Sequence, residues 1–211
     1  MIYLIITSST IVNSLTLEDY NSRKNNYVNS ITRTLNCCDT TKIKPIIVEC
    51  NNSTNADKYL NIFNCDVYYT DNNLKLPEFG VKKGFIELFD IKDVIQKYDI
   101  KDDDIIIKIT GRYFLRDSYF LDYVYDRKDN FDAFVKFYDV CSGAFKEYDS
   151  VLGLYAIRCK YLKEFNYNGE KPPEVEFATY VKNQIDKTRI KEMETLNLFC
   201  IFANTLYCSY I

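Results

Sequence analysis

The sequence predicts an α/β domain with a mostly parallel central sheet and helices on both faces. Three observations lead there. Short β-branched apolar runs alternate with amphipathic helical stretches, which is the pattern of βαβ units. Several of those runs, Ile105–Ile109 above all, are continuously apolar, as strands buried on both faces are. No Gly/Ser linker, low-complexity block or fixed-period repeat divides the 211 residues, so one domain is expected over 1–211.

Taken in order, Tyr3–Thr7 is the first strand. Tyr20–Leu35 is a helix, with Tyr27, Val28, Ile31 and Leu35 along one stripe. Pro45–Cys50 is the second strand, followed by a short helix near Asn55–Phe63, and Val67–Thr70 is the third strand. Phe85–Tyr98 is a helix that buries Phe85, Leu88, Phe89, Ile91 and Ile95. Ile105–Ile109 is the fourth strand, then come a helix near Tyr119–Tyr125 and a fifth strand at Ala133–Tyr138. Val151–Ile157 is a further strand, in which Gly153 marks a close approach by another group. A helix at Cys159–Phe165, a Pro/Gly loop and a helix at Glu174–Ile185 follow, and the apolar tail Leu196–Leu206 suits either a strand or a helix.

Composition removes several classes of chemistry. The chain has no histidine, so His triads, His acid/base steps and His-bearing metal sites are out. Acid/base work falls to carboxylates, Lys, Tyr or Cys. A net charge of −3 gives no global attraction to nucleic acid or anionic membrane. No apolar run reaches the roughly 20 residues of a membrane span, and Met1–Ile6 lacks the basic flank and length of a signal peptide. The eight cysteines form no C-x-x-C pair. Cys141, Cys159 and Cys200 sit in apolar surroundings, so reduced, buried thiols in a cytoplasmic protein are expected. The abundance of Tyr, Asn, Ile and Lys speaks of an AT-rich genome.

In open α/β sheets ligands sit beyond the carboxyl ends of the strands. Asp102-Asp103-Asp104 contains a D-x-D string but precedes its strand, where acids serve a turn, whereas Lys108, Thr110 and Arg112 fall toward the ligand end. Arg offers a planar fork and Lys a point charge to a diphosphate; the competing reading pairs both with local acids. Thr7, Ser8 and Ser9 close the first strand with hydroxyls, with no G-x-G-x-x-G or G-x-x-x-x-G-K-[ST] there. Asn51 after strand two, and Asp71 and Asn72 after strand three, suit a base and a ribose, although Asn and Asp also favour turns. Lys83 and Gly84 open the helix Phe85–Tyr98, whose free N–H groups make an anion site, or they are simply solvated. Pro172-Pro173-Glu174-Val175-Glu176 opens a late helix. Proline and acids belong there structurally, and the functional alternative makes Glu174 or Glu176 a general base.

Together, Lys83–Leu88, Asp103–Tyr113, Val151–Leu162 and Glu174–Ala178 resemble a GT-A-type nucleotide-sugar glycosyltransferase, of the small kind carried by large DNA viruses of algae and amoebae. The likeness covers about residues 1–185, and Thr110-Gly111-Arg112-Tyr113 is its most specific part. The resemblance implies a GT-A-like (Rossmann-like) domain, a nucleoside diphosphate sugar donor such as a UDP-sugar, and a glycan or glycoprotein hydroxyl as acceptor, on a viral capsid protein in the host cytoplasm. It also implies Mn²⁺ or Mg²⁺ held by a D-x-D after its strand. This sequence lacks one there, so either Asp71 takes the metal or Lys108 and Arg112 neutralise the diphosphate directly. A non-catalytic nucleotide- or glycan-binding module and a nucleotidyltransferase are the other readings.

Overall fold

The computed structural model describes residues 1–10, 17–50, 58–75, 83–201 and 208–211. Its main sheet has seven strands in the order β3-β2-β1-β4-β7-β6-β8. These are β1 (Ile2–Ser8), β2 (Lys44–Glu49), β3 (Asp66–Tyr69), β4 (Ile105–Thr110), β6 (Ala133–Val135), β7 (Leu154–Arg158) and β8 (Ile190–Glu192). Strands β3, β2, β1 and β4 run parallel, and β7 is antiparallel to both β4 and β6. The result is the expected α/β sheet, mixed and mostly parallel. Strand β1 lies between β2 and β4, so the chain order reverses there and a crevice opens at the carboxyl ends of β1 and β4.

Alternation sorts each strand between two cores. Leu4 and Ile6 of β1 and Ile105, Ile107 and Ile109 of β4 face one side. There they meet Tyr27 and Ile31 of helix α1 (Leu17–Asn36) and Phe120, Leu121 and Val124 of α3 (Tyr119–Arg127). Tyr3 and Ile5 of β1 and Ile106 of β4 face the other side. They pack on α2 (Lys83–Lys97), α4 (Cys159–Glu164) and α5 (Pro173–Gln184) through Leu88, Ile91, Val94, Leu162, Phe177 and Val181. Helix α2 stops where Asp99 takes a left-handed φ of 49° and the Ile100 N–H reaches back to the Ile95 carbonyl at 3.0 Å.

The sequence reading needs correction at several elements. The region near Asn55–Phe63 holds a 3₁₀ turn at Tyr59–Ile62, and residues 55–57 lie outside the described ones. Phe85 and Phe89 are half-buried on the flank of α2, and Ile86 and Val94 take core positions instead. The fifth strand stops at Val135, and the strand expected from Val151 begins at Leu154. Strand β5 (Phe114–Leu115), too short for a periodicity, pairs with β9 (Leu198–Ile201) from the tail, and β9 pairs with β10 (Cys208–Tyr210). Cys159 and Cys200 are buried free thiols as expected, but Cys141 is exposed, because it sits in the turn between Asp139 and Ala144.

Two glycines act by lacking a side chain. A methyl group on Gly153 would lie 2.4 Å from the Tyr113 ring, so the close approach read from the sequence is the packing of Tyr113 there. At Gly111 a methyl would sit 2.8 Å from the Thr7 carbonyl, to which the Gly111 N–H donates at 2.7 Å. Backbone cannot move aside as a side-chain tip can. Gly111→Ala is therefore expected to cost about 1–3 kcal/mol, read as a lower urea midpoint with an unchanged m-value; an unaltered midpoint would show that the β1–β4 junction is looser than this packing.

Candidate functional site

The crevice at the ends of β1 and β4 is built around a buried charge. Lys108 lies on the strand face that carries Ile106 and is 1% exposed. An ammonium there must be paired and hydrogen-bonded. Its Nζ donates to Glu87 Oε1 at 2.8 Å, to Thr110 Oγ1 at 2.9 Å and to the Leu152 carbonyl at 2.6 Å. Thr110 passes a hydrogen bond on to the same Glu87 oxygen at 3.2 Å, and Thr7 of β1 donates to it as well. Burial alone raises a carboxyl pKa, but the Lys108 charge and these donors outweigh it and hold Glu87 below its ordinary value. Burial lowers the Lys108 pKa, against the pull of Glu87. Glu87 thus ties α2 to β1 and β4 at one oxygen. Its Oε2 accepts no hydrogen bond from any described residue.

The start of α2 meets the start of α5. A methyl group on Gly84 would lie 2.9 Å from the ring of Pro173, the first residue of α5. Two helix N-termini, each with a partial positive charge, therefore converge beside Glu87 and Lys108. The start of α5 has few free N–H groups, because Pro172 and Pro173 carry none and the Val175 and Glu176 N–H groups both donate to the Pro172 carbonyl at 3.0 Å. Glu174 is half-buried at this junction, and its charge acts on Lys108. Ser150 donates to the Glu174 carbonyl at 3.0 Å, which leaves the carboxylate out of that contact. Glu176 differs, since its two oxygens accept the backbone N–H groups of Asn168 (2.8 Å) and Lys171 (2.9 Å) and so shape the loop before α5.

On the other side of β1, Ser8 donates to Glu49 Oε2 at 2.7 Å, while the Thr10 N–H and hydroxyl both reach the Glu49 carboxylate at 3.2 Å. The Ser9 carbonyl accepts from Arg23 Nε at 2.9 Å. Arg112 Nε donates to the Ile201 carbonyl at 3.0 Å, which ties the crevice to β9. At the end of β3, Asn72 is buried and donates to Asp90 and Asp93, each at 2.8 Å, and Thr70 donates to Asp90 too. Burial pushes the Asp90 carboxyl up to about 7, above what Thr70 and Asn72 offset.

Of the residues singled out in the sequence, Thr7, Ser8, Ser9, Gly84, Lys108, Thr110, Arg112 and Glu174 gather at or around this crevice. Asp71 and Asn72 lie at the end of β3, with Asp71 exposed. Asn51 lies outside the described residues, and Lys83 is placed only as the first residue of α2. Lys108 is not a free cation, because its three N–H donors are all committed internally. Asp102–Asp104 do lie at the opposite end of β4: Asp102 pairs with Lys163 at 2.5 Å, and Asp104 accepts the Lys101 N–H at 2.9 Å and the Met1 ammonium.

Sequence reasoning missed Glu87, Asp90 and Glu49. A signal for the first existed: a lysine inside an isoleucine strand demands a carboxylate on the helix facing it, and Glu87 heads the Ile91/Val94 stripe.

The donor set does not fit a divalent metal. Thr110 ends β4 and Gly111 and Arg112 follow it, where the resemblance places carboxylates. Among the described residues no three Asp, Glu or Cys side chains converge to hold an ion, and Asp71 has no such partners. No described helix is long and apolar enough to cross a membrane.

No protein-family model matches the chain, and no curated protein does. Solved structures do match. A nucleotide-diphospho-sugar transferase from Desulfovibrio desulfuricans G20 is 7% identical with a TM-score of 0.57, over 90% of this chain and 78% of that one. Glucosyl-3-phosphoglycerate synthase from Mycobacterium tuberculosis, in complex with Mn²⁺, UDP and glucosyl-3-phosphoglycerate, is 12% identical with a TM-score of 0.54, over 90% and 68%. A cytidylyltransferase from Leptospira borgpetersenii is 12% identical with a TM-score of 0.50, over 91% and 75%. The chain spans 58% of the TarS 1–349 structure from S. aureus that it also matches. At these identities the likeness is one of fold, and the fold is the GT-A-like one of nucleotide-sugar transferases.

Two outcomes follow from the buried charges. Removing one partner of a buried pair strands the other, so Lys108→Ala should cost about 3–5 kcal/mol in urea unfolding. Lys108→Met combined with Glu87→Leu should recover most of that loss; a double variant no better than the single one would mean the pair does not carry the effect. For Asp90, the folded pKa lies above the unfolded one, so its contribution is full at low pH and is lost as pH rises from about 4 to about 7. Asp90→Asn should flatten that part of the stability–pH curve, measured by thermal melts between those limits.

Proposed function

We propose that the chain transfers a sugar from a nucleoside diphosphate donor, a UDP-sugar in the first instance, to a hydroxyl of a glycan or glycoprotein. The observation that carries this reading is the meeting of α2 and α5 at Gly84 and Pro173, next to Glu174, whose charge reaches Lys108. An anionic donor suits two helix N-termini and Arg112, and a carboxylate at that junction suits an acceptor hydroxyl.

In the proposed step Glu174 takes the proton from the acceptor hydroxyl. The oxygen forms a bond to the anomeric carbon, and the bond from that carbon to the diphosphate oxygen breaks. The electron pair leaves with the diphosphate, where Arg112 and the first N–H groups of α2 stabilise the charge; the sequence reading adds Lys83, whose side chain lies outside what the structure describes. Fixed donors of this kind supply a large part of such a rate enhancement. Lys108 acts one layer below: it holds Glu87 in place and adds its field, and Thr7 and Thr110 fix the same carboxylate. Thr7, Ser8 and Ser9 line the nucleotide end, with Asp71 toward the base and ribose. Asn51, read from the sequence for the same role, lies outside the described residues, and the Asn72 amide is spent on Asp90 and Asp93. The capsid acceptor belongs to this reading on the resemblance alone, as does the division into a donor part over about 1–115 and an acceptor part over about 116–211.

Nucleotidyl transfer is the second reading, favoured by the fold match to a cytidylyltransferase. It ranks lower because Thr7-Ser8-Ser9-Thr10 takes the place of the Gly-rich loop that such chemistry uses after the first strand.

Glu174→Gln should lower turnover of the accepted UDP-sugar roughly 10²–10⁴-fold, in the range of a lost general base, with the donor KM within a few-fold. Glu176→Gln should instead lower the melting temperature and leave turnover per folded molecule nearly unchanged. If the two variants exchanged these effects, the base would be Glu176. A chain that releases no nucleotide from any sugar donor overturns the reading.

A further inference from the structure

Arg23, on the first turns of α1, has no role in the function proposed above. Its Nε donates to the Ser9 carbonyl at 2.9 Å and its Nη2 to the Tyr27 hydroxyl at 3.4 Å. The Tyr27 side chain is 2% exposed and lies under Gly111, in contact range of where a methyl there would sit. Burial raises the Tyr27 pKa, and Arg23 and then Arg112 pull it down. Both guanidinium charges are therefore within electrostatic reach of one phenol, one at the exit of β1 and the other at the exit of β4. The two exits are pinned together by the Gly111 N–H bond to the Thr7 carbonyl.

These arginines differ from others in the chain. Arg158 and Arg189 pair with Asp132 at 2.7 and 2.8 Å. Arg23 and Arg112 touch carbonyls and aromatic rings, and no carboxylate among the described residues forms an ion pair with either. Each keeps terminal N–H donors for a ligand. Glu87 acts on Arg112 without touching it, and an anion bound at the strand ends adds the direct charge contact that neither guanidinium has among the described residues. Among the described residues no three carboxylates or thiols gather to hold a divalent metal, and β4 ends in Thr110 followed by Gly111 and Arg112.

We infer that Arg23 and Arg112 form a two-pronged cation site that holds the diphosphate of the ligand directly, with no divalent metal between protein and phosphate. The inference rests on the nucleotide-sugar reading for its ligand, but the site can be tested without that reading. Guanidinium forks bind phosphate oxygens in pairs, and here one guanidinium stands at the exit of β1 and the other at the exit of β4. Arg23 is then a residue in contact with the ligand, alongside Arg112.

The test is calorimetric titration of the full chain with UDP, uridine and inorganic pyrophosphate, each in EDTA and in Mn²⁺. UDP and pyrophosphate should bind equally well in both media. Arg23→Gln keeps a donor for the Ser9 carbonyl and removes the charge; it should weaken both ligands roughly 10- to 100-fold, as the loss of a charge-assisted bond does, with uridine unaffected and the melting temperature of the free chain preserved. Arg23→Lys should recover part of the loss. Binding of UDP that requires Mn²⁺, or that Arg23→Gln leaves intact, overturns the cation site while the glycosyltransferase reading stands. Arg23-dependent binding of pyrophosphate but of no nucleoside diphosphate keeps the site and overturns that reading. Binding of neither ligand overturns both.

Discussion

A lysine ammonium sits in the middle of an isoleucine strand, and much of the geometry of the crevice follows from what it takes to keep it there. Burying Lys108 costs solvation that only a close counter-charge and full use of its donors can offset. Glu87 supplies the charge from α2, Thr110 and the Leu152 carbonyl supply the remaining contacts, and Thr7 joins from β1. The pair thereby sets the height and rotation of α2 over the sheet. That setting brings Gly84 against Pro173 and carries Glu174 to the end of β4. A hydrophobic pair of equal volume would hold the helix as strongly but would leave the crevice without a fixed carboxylate or an ordered hydroxyl layer.

The ionic layer also explains why the crevice suits an anion although the chain carries a net charge of −3. Charge far from a site is screened over about 8–10 Å at ordinary ionic strength, so the local balance decides. Lys108 and Glu87 cancel each other nearly in place, and Asp132 is consumed by Arg158 and Arg189 on another edge of the sheet. What is left at the strand ends is two helix N-termini, Arg23 and Arg112, set against the carboxylates of Glu49 and Glu174. The acidic residues that dominate the net charge lie elsewhere, Asp102–Asp104 among them, at the far end of β4.

Much of the fold was legible because it is written in repeats of local pattern. Tyr3–Thr7 and Ile105–Ile109 read as strands from composition, and the stripe of Tyr27 and Ile31 sets the inner face of α1. Strands β5 and β8 were not legible, since two or three residues carry no period and their pairing depends on partners far along the chain. The site was legible in part for the same reason. Thr7, Thr110 and Arg112 follow from strand direction. The role of Glu87 needed the partner across the core: with the helix read from Phe85, Glu87 is a first-turn acid explained by the helix dipole, whereas the helix begins at Lys83 and has no acid in its first turn. Lys108 was read as a ligand-facing charge from its place near the strand end, but alternation turns it into the core beside Ile106, one pleat before the crevice.

The fold is shared by sugar transferases and a cytidylyltransferase, so the topology cannot choose between these chemistries and the strand ends must. A Gly-rich loop after the first strand would wrap a triphosphate in backbone N–H groups; this chain places hydroxyls there, and Ser8 and Thr10 spend theirs on Glu49. A carboxylate pair after β4 would recruit a metal to the diphosphate, and this chain places Thr110, a glycine pressed on the Thr7 carbonyl, and Arg112. The replacement is coherent as physics. A side chain at Gly111 would push β4 away from β1, so the exit of β4 has room for a backbone turn and a long, flexible cation reaching over it, and no room for a rigid carboxylate at that position. The tight β1–β4 junction and the cationic exit of β4 are thus one feature seen from two sides.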